Sequence, residues 1–188
     1  MANLVDVSSN NHVGGRPLDF VAMRRECGIE YVMIKATEGL GYRNPFLAED
    51  ARAAHEAGMD VGYYHFARPW RAAGVQVAEF LDGVQYAGVP HRLGLALDLE
   101  VQDGLNWADL AKFAQTFLDS LSRAAQWTIL YSNEDFLSNM PGAPWGYRLW
   151  YARPGARPRR QCWAWQYGTG REPAVEGIDV DELFELPA

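Results

Sequence analysis

Leucine recurs at every second position from Leu93 to Leu99, and the residues between, Gly94, Ala96, Asp98 and Glu100, run small, small, acid, acid. A strand sends alternate side chains to opposite faces. The stretch therefore predicts a leucine face packed under covering helices and a second face lining a tight interior that opens at its carboxyl end. Two carboxylates two residues apart have Cα atoms about 6–7 Å apart, close enough to lean on one substrate atom. Their repulsion favours one of them keeping its proton near neutral pH, which is what acid catalysis requires. The alternative, two solvated acids at a strand end, fits poorly with an unbroken leucine face behind them.

The same logic extends along the chain. Leu4 to Ser8 reads as a short buried strand with Asp6 at its carboxyl end, followed by the polar turn Ser9-Asn10-Asn11. Pro17 to Cys27 has helical spacing with Gly28 behind it. Tyr31 to Ala36 is a second strand running into Thr37-Glu38-Gly39, and Asn44 before Pro45 predicts an N-cap for a helix ending at Ala57. Val61 to Phe66 is a third strand, Ala72 to Tyr86 a helix, Leu93 to Glu100 the fourth strand, and Asn106 caps a helix carrying Trp107, Leu110, Ala114, Phe117 and Leu121. Trp127 to Tyr131 is the fifth strand. After it comes a short helix at Glu134 to Met140, then three runs, Tyr147–Ala152, Cys162–Tyr167 and Gly177–Val180, with no room for full helices between them. Alternating strands and helices imply a parallel sheet. The expected fold is α/β: an irregular TIM-like barrel of eight mainly parallel strands with about five helices, the last third stripped of its outer layer, and residues 1–188 forming one domain.

Composition narrows the function classes. A net charge of −7 argues against nucleic acid as a partner, and no apolar run is long enough to span or insert into a membrane. Arg148, Arg153, Arg157, Arg159 and Arg160 crowd one proline-stiffened segment, read first as a solvated loop and second as a contact for an anionic polymer. Cys27 and Cys162 fit either free thiols or one bridge, and His12, His55, His65 and His91 form no metal-ligand spacing, so no metal or other cofactor is expected. The opening residues show no secretory signal, so phage-type release or non-classical export is expected for any action outside a cell.

In a parallel barrel the carboxyl ends of the strands share one face, and that face carries the site. This reading brings together Asp6, Lys35 with Thr37 and Glu38, Tyr63 and His65, Asp98 with Glu100, Tyr131, Trp150, Gln166 with Tyr167, and Asp179. Acids interleaved with aromatic rings suit a carbohydrate. Rings pack on sugar C–H faces, while acids bind hydroxyls and protonate a glycosidic oxygen.

These segments, taken in order, resemble glycoside hydrolase family 25, the lysozymes or N-acetylmuramidases. The likeness runs through Val5-Asp6-Val7-Ser8, Ile34-Lys35-Ala36-Thr37-Glu38-Gly39, Gly62-Tyr63-Tyr64-His65-Phe66-Ala67-Arg68, Leu97-Asp98-Leu99-Glu100, Leu130-Tyr131-Ser132, Leu149-Trp150-Tyr151-Ala152, Trp165-Gln166-Tyr167 and Gly177-Ile178-Asp179-Val180-Asp181. The resemblance implies an irregular barrel of five helices whose last three strands lack them. It implies Glu100 as general acid and Asp98 as the second carboxylate, with Asp6 and Asp179 completing the acid set; Asp98 would either attack the anomeric carbon directly or, as two acids on one side of a strand favour, act as stabiliser of a substrate-assisted retaining reaction. Tyr63, His65, Tyr131, Trp150, Gln166, Tyr167, Lys35 and Glu38 are the expected substrate contacts, with Lys35 and Glu38 pairing as scaffold. The expected partner is the glycan strand of peptidoglycan, cut by a monomer at the bacterial cell wall, as in an endolysin. The rival expectations are a catalytically silent glycan-binding barrel and a chitinase-like hydrolase. Because an acidic protein binds an anionic wall weakly, the arginine-rich loop or a further wall-binding module would have to help.

Overall fold

The computed structural model describes residues 3–185. Eight strands close into a ring: β1 (Leu4–Val7), β2 (Tyr31–Glu38), β4 (Asp60–Phe66), β5 (Leu95–Asp98), β6 (Thr128–Asn133), β7 (Arg148–Ala152), β8 (Ala164–Thr169) and β9 (Asp179–Leu183). A two-residue strand, β3 (Tyr42–Arg43), folds back antiparallel on β2. β1 pairs with β2 and every step from there to β8 is parallel, while β9 runs antiparallel to both β8 and β1 and closes the ring. Five helices, α1 (Phe20–Cys27), α2 (Leu47–Glu56), α3 (Ala73–Ala87), α4 (Trp107–Leu121) and α5 (Glu134–Asn139), follow the earlier strands. The fold is the irregular α/β barrel expected.

Side-chain alternation sorts the core into two compartments. Val5, Val32, Ile34, Leu95, Leu97, Leu99 and Leu130 point outward and pack with Phe20, Phe80, Leu110 and Phe117 of the helices. Leu4, Met33, Tyr64, Ala96, Ile129, Trp150 and Ala164 point inward and fill the barrel. Leu93 departs from the expectation, since it belongs to the inner compartment and not with Leu95, Leu97 and Leu99. The cause is Gly94, whose φ of +98° breaks the alternation, and where an added Cβ would sit 2.5 Å from the Trp127 carbonyl oxygen.

Two helix starts also differ. Asp19 caps α1 by accepting from the Ala22 N–H at 2.8 Å, so Pro17 lies ahead of the cap. Asn44 does not cap α2, which begins after Phe46. Its side chain instead donates to the Lys35 carbonyl at 2.9 Å and accepts from the Phe46 N–H at 3.0 Å, tying the turn to β2. Asn106 caps α4 as expected, accepting from Asp109 N–H at 3.0 Å. Cys27 and Cys162 are free and half-buried. Within the arginine-rich segment, Arg160 pairs with Glu134 at 2.8 Å and the Arg148 guanidinium lies 3.1 Å from the Trp127 ring centre, while Arg157 and Arg159 remain exposed. No helix is long and apolar enough to cross a membrane among the described residues.

Candidate active site

At the carboxyl ends of the parallel strands lies a cleft of about 350 Å³, lined by Asp6, Asp98, Glu100, Asp179, Lys35, Tyr64, Phe66, Tyr131, Trp150 and Gln166, with Ser8, Asn10 and Asn11 on one edge. Each acid arrives by alternation. Asp98 is the last residue of β5 and continues the inward face of Ala96, and Glu100 follows two residues on. Asp6 follows Leu4 inward on β1, and antiparallel pairing sets it directly opposite Asp179 on β9. Asp98 is 5 % exposed, whereas Glu100 and Asp179 stand at the open end.

Crowding carboxyls in a confined space raises their pKa values, first through lost hydration and then through mutual repulsion. Burial, then Asp179 and Glu100, push the Asp6 carboxyl up to about 7 against the pull of hydrogen bonds from Gln166 and Asp181. Burial, then Glu100 and Asp6, hold Asp98 well above the usual carboxylate range. Glu100 is raised by what burial it has and by Asp179, with Asp98 and Lys35 acting the other way. Glu100 raises Asp98 while Asp98 lowers Glu100, and Asp6 and Asp181 repeat the arrangement, so in each pair the deeper carboxyl is the better holder of a proton. Each pair is thereby biased towards holding a proton, a store available to a leaving oxygen.

Lys35 is the cation lining this cleft, and Glu38 holds it at 2.6 Å. Residues three apart on a regular strand face opposite ways. Here the β2–β4 register shifts between Lys35 and Thr37, so that Ala36 and Thr37 both point outward against α3 at Gly83, and Lys35 and Glu38 share the inner side. Glu38 does not line the cleft itself. It also faces Arg68 at 3.8 Å.

Besides Glu38, three expected contacts lie elsewhere. Tyr63 and His65 alternate outward on β4: the Tyr63 hydroxyl donates to the Val89 carbonyl at 3.0 Å, and His65 bridges Thr37 at 2.8 Å and Gln76 at 3.0 Å under the helices. Burial pushes His65 down to about 4, so it is neutral. Tyr167 alternates outward on β8, against Trp165 at 5.2 Å. Tyr131, Trp150 and Gln166 do line the cleft; the Tyr131 hydroxyl donates to Gln166 at 2.8 Å, and the Gln166 amide donates to Asp6 at 2.8 Å. The residues missed are Tyr64 and Phe66, the inward neighbours of Tyr63 and His65, and Asp181. Asp181 is fully buried and accepts from the Trp150 indole N–H at 2.6 Å. Applying to β4 and β9 the alternation read on β5 would have found all three.

Residues 5–174 match the family described as Glycosyl hydrolases family 25. The chain is 30% identical over 175 residues to the uncharacterized protein YegX of Escherichia coli O6:H1, covering 88% of this chain and 62% of that protein. It is 27% identical over 178 residues to the autolytic lysozyme of Clostridium acetobutylicum, covering 92% of this chain and 54% of the relative. The chain thus spans about three fifths of the length of these curated relatives or less. Among solved structures, the catalytic domain of endolysin ply40 from bacteriophage P40 of Listeria monocytogenes superposes with a TM-score of 0.83 at 19% identity, over 98% of this chain and 94% of that one.

Proposed function

Because the chain belongs to glycosyl hydrolases family 25, we propose that it is a peptidoglycan hydrolase cleaving the β-1,4 bond between N-acetylmuramic acid and N-acetylglucosamine with net retention. The observation that carries this reading is one cleft lined by Asp6, Asp98, Glu100 and Asp179 beside the rings of Tyr131 and Trp150. The lysozyme among the relatives supports the same substrate class. Glu100, the more open member of its pair, protonates the glycosidic oxygen. The proton it delivers is the one it shares with Asp98 below it, and the carboxylate left at Asp98 orients the substrate's N-acetyl group and stabilises the positive charge that grows as the acetamide oxygen attacks the anomeric carbon. Two acids on one strand face lie on the same side of the bond. That placement suits assistance by the substrate better than direct attack from the opposite face. Asp6 and Asp179 face each other across β1 and β9 and hold the hydroxyls. The four acids need no second copy to complete them, and the proposed acting unit is a monomer on glycan strands at the bacterial wall.

Digestion of purified walls followed by identification of the new reducing sugar tests the bond. N-acetylmuramic acid is the expected end. N-acetylglucosamine there would make the protein a glucosaminidase, and new amines without reducing ends would make it an amidase or peptidase. Glu100→Gln is expected to keep the fold and lower turnover by about a hundredfold or more, the usual worth of a general acid. Near-normal turnover in that variant would remove Glu100 from the role.

A further inference from the structure

Beside the cleft, and separated from it by a shared wall, runs a second groove of about 510 Å³ between the tip of the β2–β3 hairpin and the turn after β4. The wall is Tyr42 with the Lys35–Glu38 pair. The Tyr42 ring lies 5.7 Å from Lys35 Nζ, its hydroxyl meets Ser9 Oγ at 2.7 Å on the cleft edge, and the hairpin behind it forms the groove. The groove holds Trp70 and Leu40, which are 55% and 43% exposed. Exposed indole next to a polymer-cutting cleft is surface left open to water at a free-energy cost, and such surface marks contact sites.

The geometry points to this groove as an outer subsite for one further N-acetylated pyranose of the same glycan strand, stacked on the exposed indole of Trp70. This rests on the reaction proposed above. Three observations specify the ligand class. First, the indole is held in place. The Arg71 guanidinium covers one face at 3.9 Å, and more than half of the residue stays exposed. Second, the turn carrying it is rigid. Fully buried Gln76 accepts from the Arg68 N–H and donates to the carbonyls of Arg68 and Arg71, each at 3.0 Å, while its oxygen also meets His65. A platform fixed before binding loses little entropy when a ring settles on it. Third, Arg68 beneath the platform is already paired. Arg68 pairs with Asp103 at 2.9 Å and faces Glu38 at 3.8 Å, so the groove offers hydrogen bonds to hydroxyls and acetamides, and Arg68 has little charge left for a peptide carboxylate. Gly39 permits the close approach of hairpin and turn, since a Cβ there would come within 2.7 Å of Arg68 Cγ.

The test is a ladder of peptide-free β-1,4 amino-sugar oligomers of increasing length, cleaved by the wild-type protein and by Trp70→Ala and Trp70→Phe. In the wild type kcat/KM rises with length once the groove is reached. Trp70→Ala is expected to lose roughly tenfold of that rise while melting at the wild-type temperature, and Trp70→Phe to recover most of it. An identical ladder in Trp70→Ala overturns the subsite. A loss seen only on strands carrying stem peptides overturns its assignment to sugar. If the wild type cleaves no oligomer, the proposed reaction fails by itself. Calorimetric titration of the same oligomers into the wild type and Trp70→Ala then decides the groove, equal affinities overturning it.

Discussion

At the scale of single residues the site is a problem in proton accounting. Asp6, Asp98, Glu100, Asp179 and Asp181 all have raised pKa values, so the folded protein keeps protons that an unfolded chain has released. Their contribution to stability is complete below the ordinary carboxylate range and is lost as pH rises through the folded values. For Asp6 the window runs from 3.8 to about 7. His65, depressed to about 4, has the opposite slope on the acid side of neutrality, but contributes it equally to any pair of variants compared. Asp6→Asn keeps an acceptor for Gln166 and removes the titration. Its melting temperature is therefore expected to fall less than that of the wild type between pH 4 and pH 7, and parallel curves would show that Asp6 does not titrate there. The four acids were legible in the sequence because strand alternation and the Asp-x-Glu pattern both mark them. Tyr63 and His65 were misplaced because a strand end was treated as a point, when its two faces lead to different solvents. Asp181 lies one step of the same alternation beyond Asp179 on β9, past the acid at which the reading stopped.

At the scale of elements, the loop between β1 and α1 forms one edge of the cleft, and its anchor is buried. His12 Nε2 meets the Asp50 carboxylate of α2 at 2.9 Å, its Nδ1 meets the Arg16 carbonyl at 3.0 Å, and its ring stacks on Phe46 at 3.7 Å. Nearer the cleft the loop is closed by a reciprocal cap between Ser8 and Asn11. His12→Phe keeps the stacking and removes both hydrogen bonds, leaving a buried carboxyl without its partner. Chemical denaturation is expected to show a loss of about 1–3 kcal/mol, and glycan assays a higher KM with kcat less affected, because Asn10 and Asn11 sit on this edge. Strand and helix order could be read from periodicity and caps, whereas the register shift at Lys35 and Thr37 could not. That shift reflects competition between the helix layer, which takes both Ala36 and Thr37, and the barrel mouth.

At the scale of the whole molecule, the proposed reaction brings a chain of net charge −7 to a wall that is itself anionic. Long-range repulsion slows encounter, and salt screens it over about 10 Å at 0.1 M. Turnover on intact walls is therefore expected to rise as ionic strength increases from about 0.01 M to 0.1 M, while cleavage of short uncharged oligomers stays level. A flat response on walls would mean that the exposed Arg157 and Arg159 already offset the net charge locally. The closure of the ring has its own consequence for how the molecule comes into being. β9, inserted between β1 and β8, carries both Asp179 and Asp181. A nascent chain that has reached only residue 176 already holds Asp6, Asp98 and Glu100, yet it has two unmatched strand edges and an incomplete set of acids. On the proposed reaction, the acid set is therefore complete only once β9 has paired with both β1 and β8, so assembly of the site waits on closure of the ring.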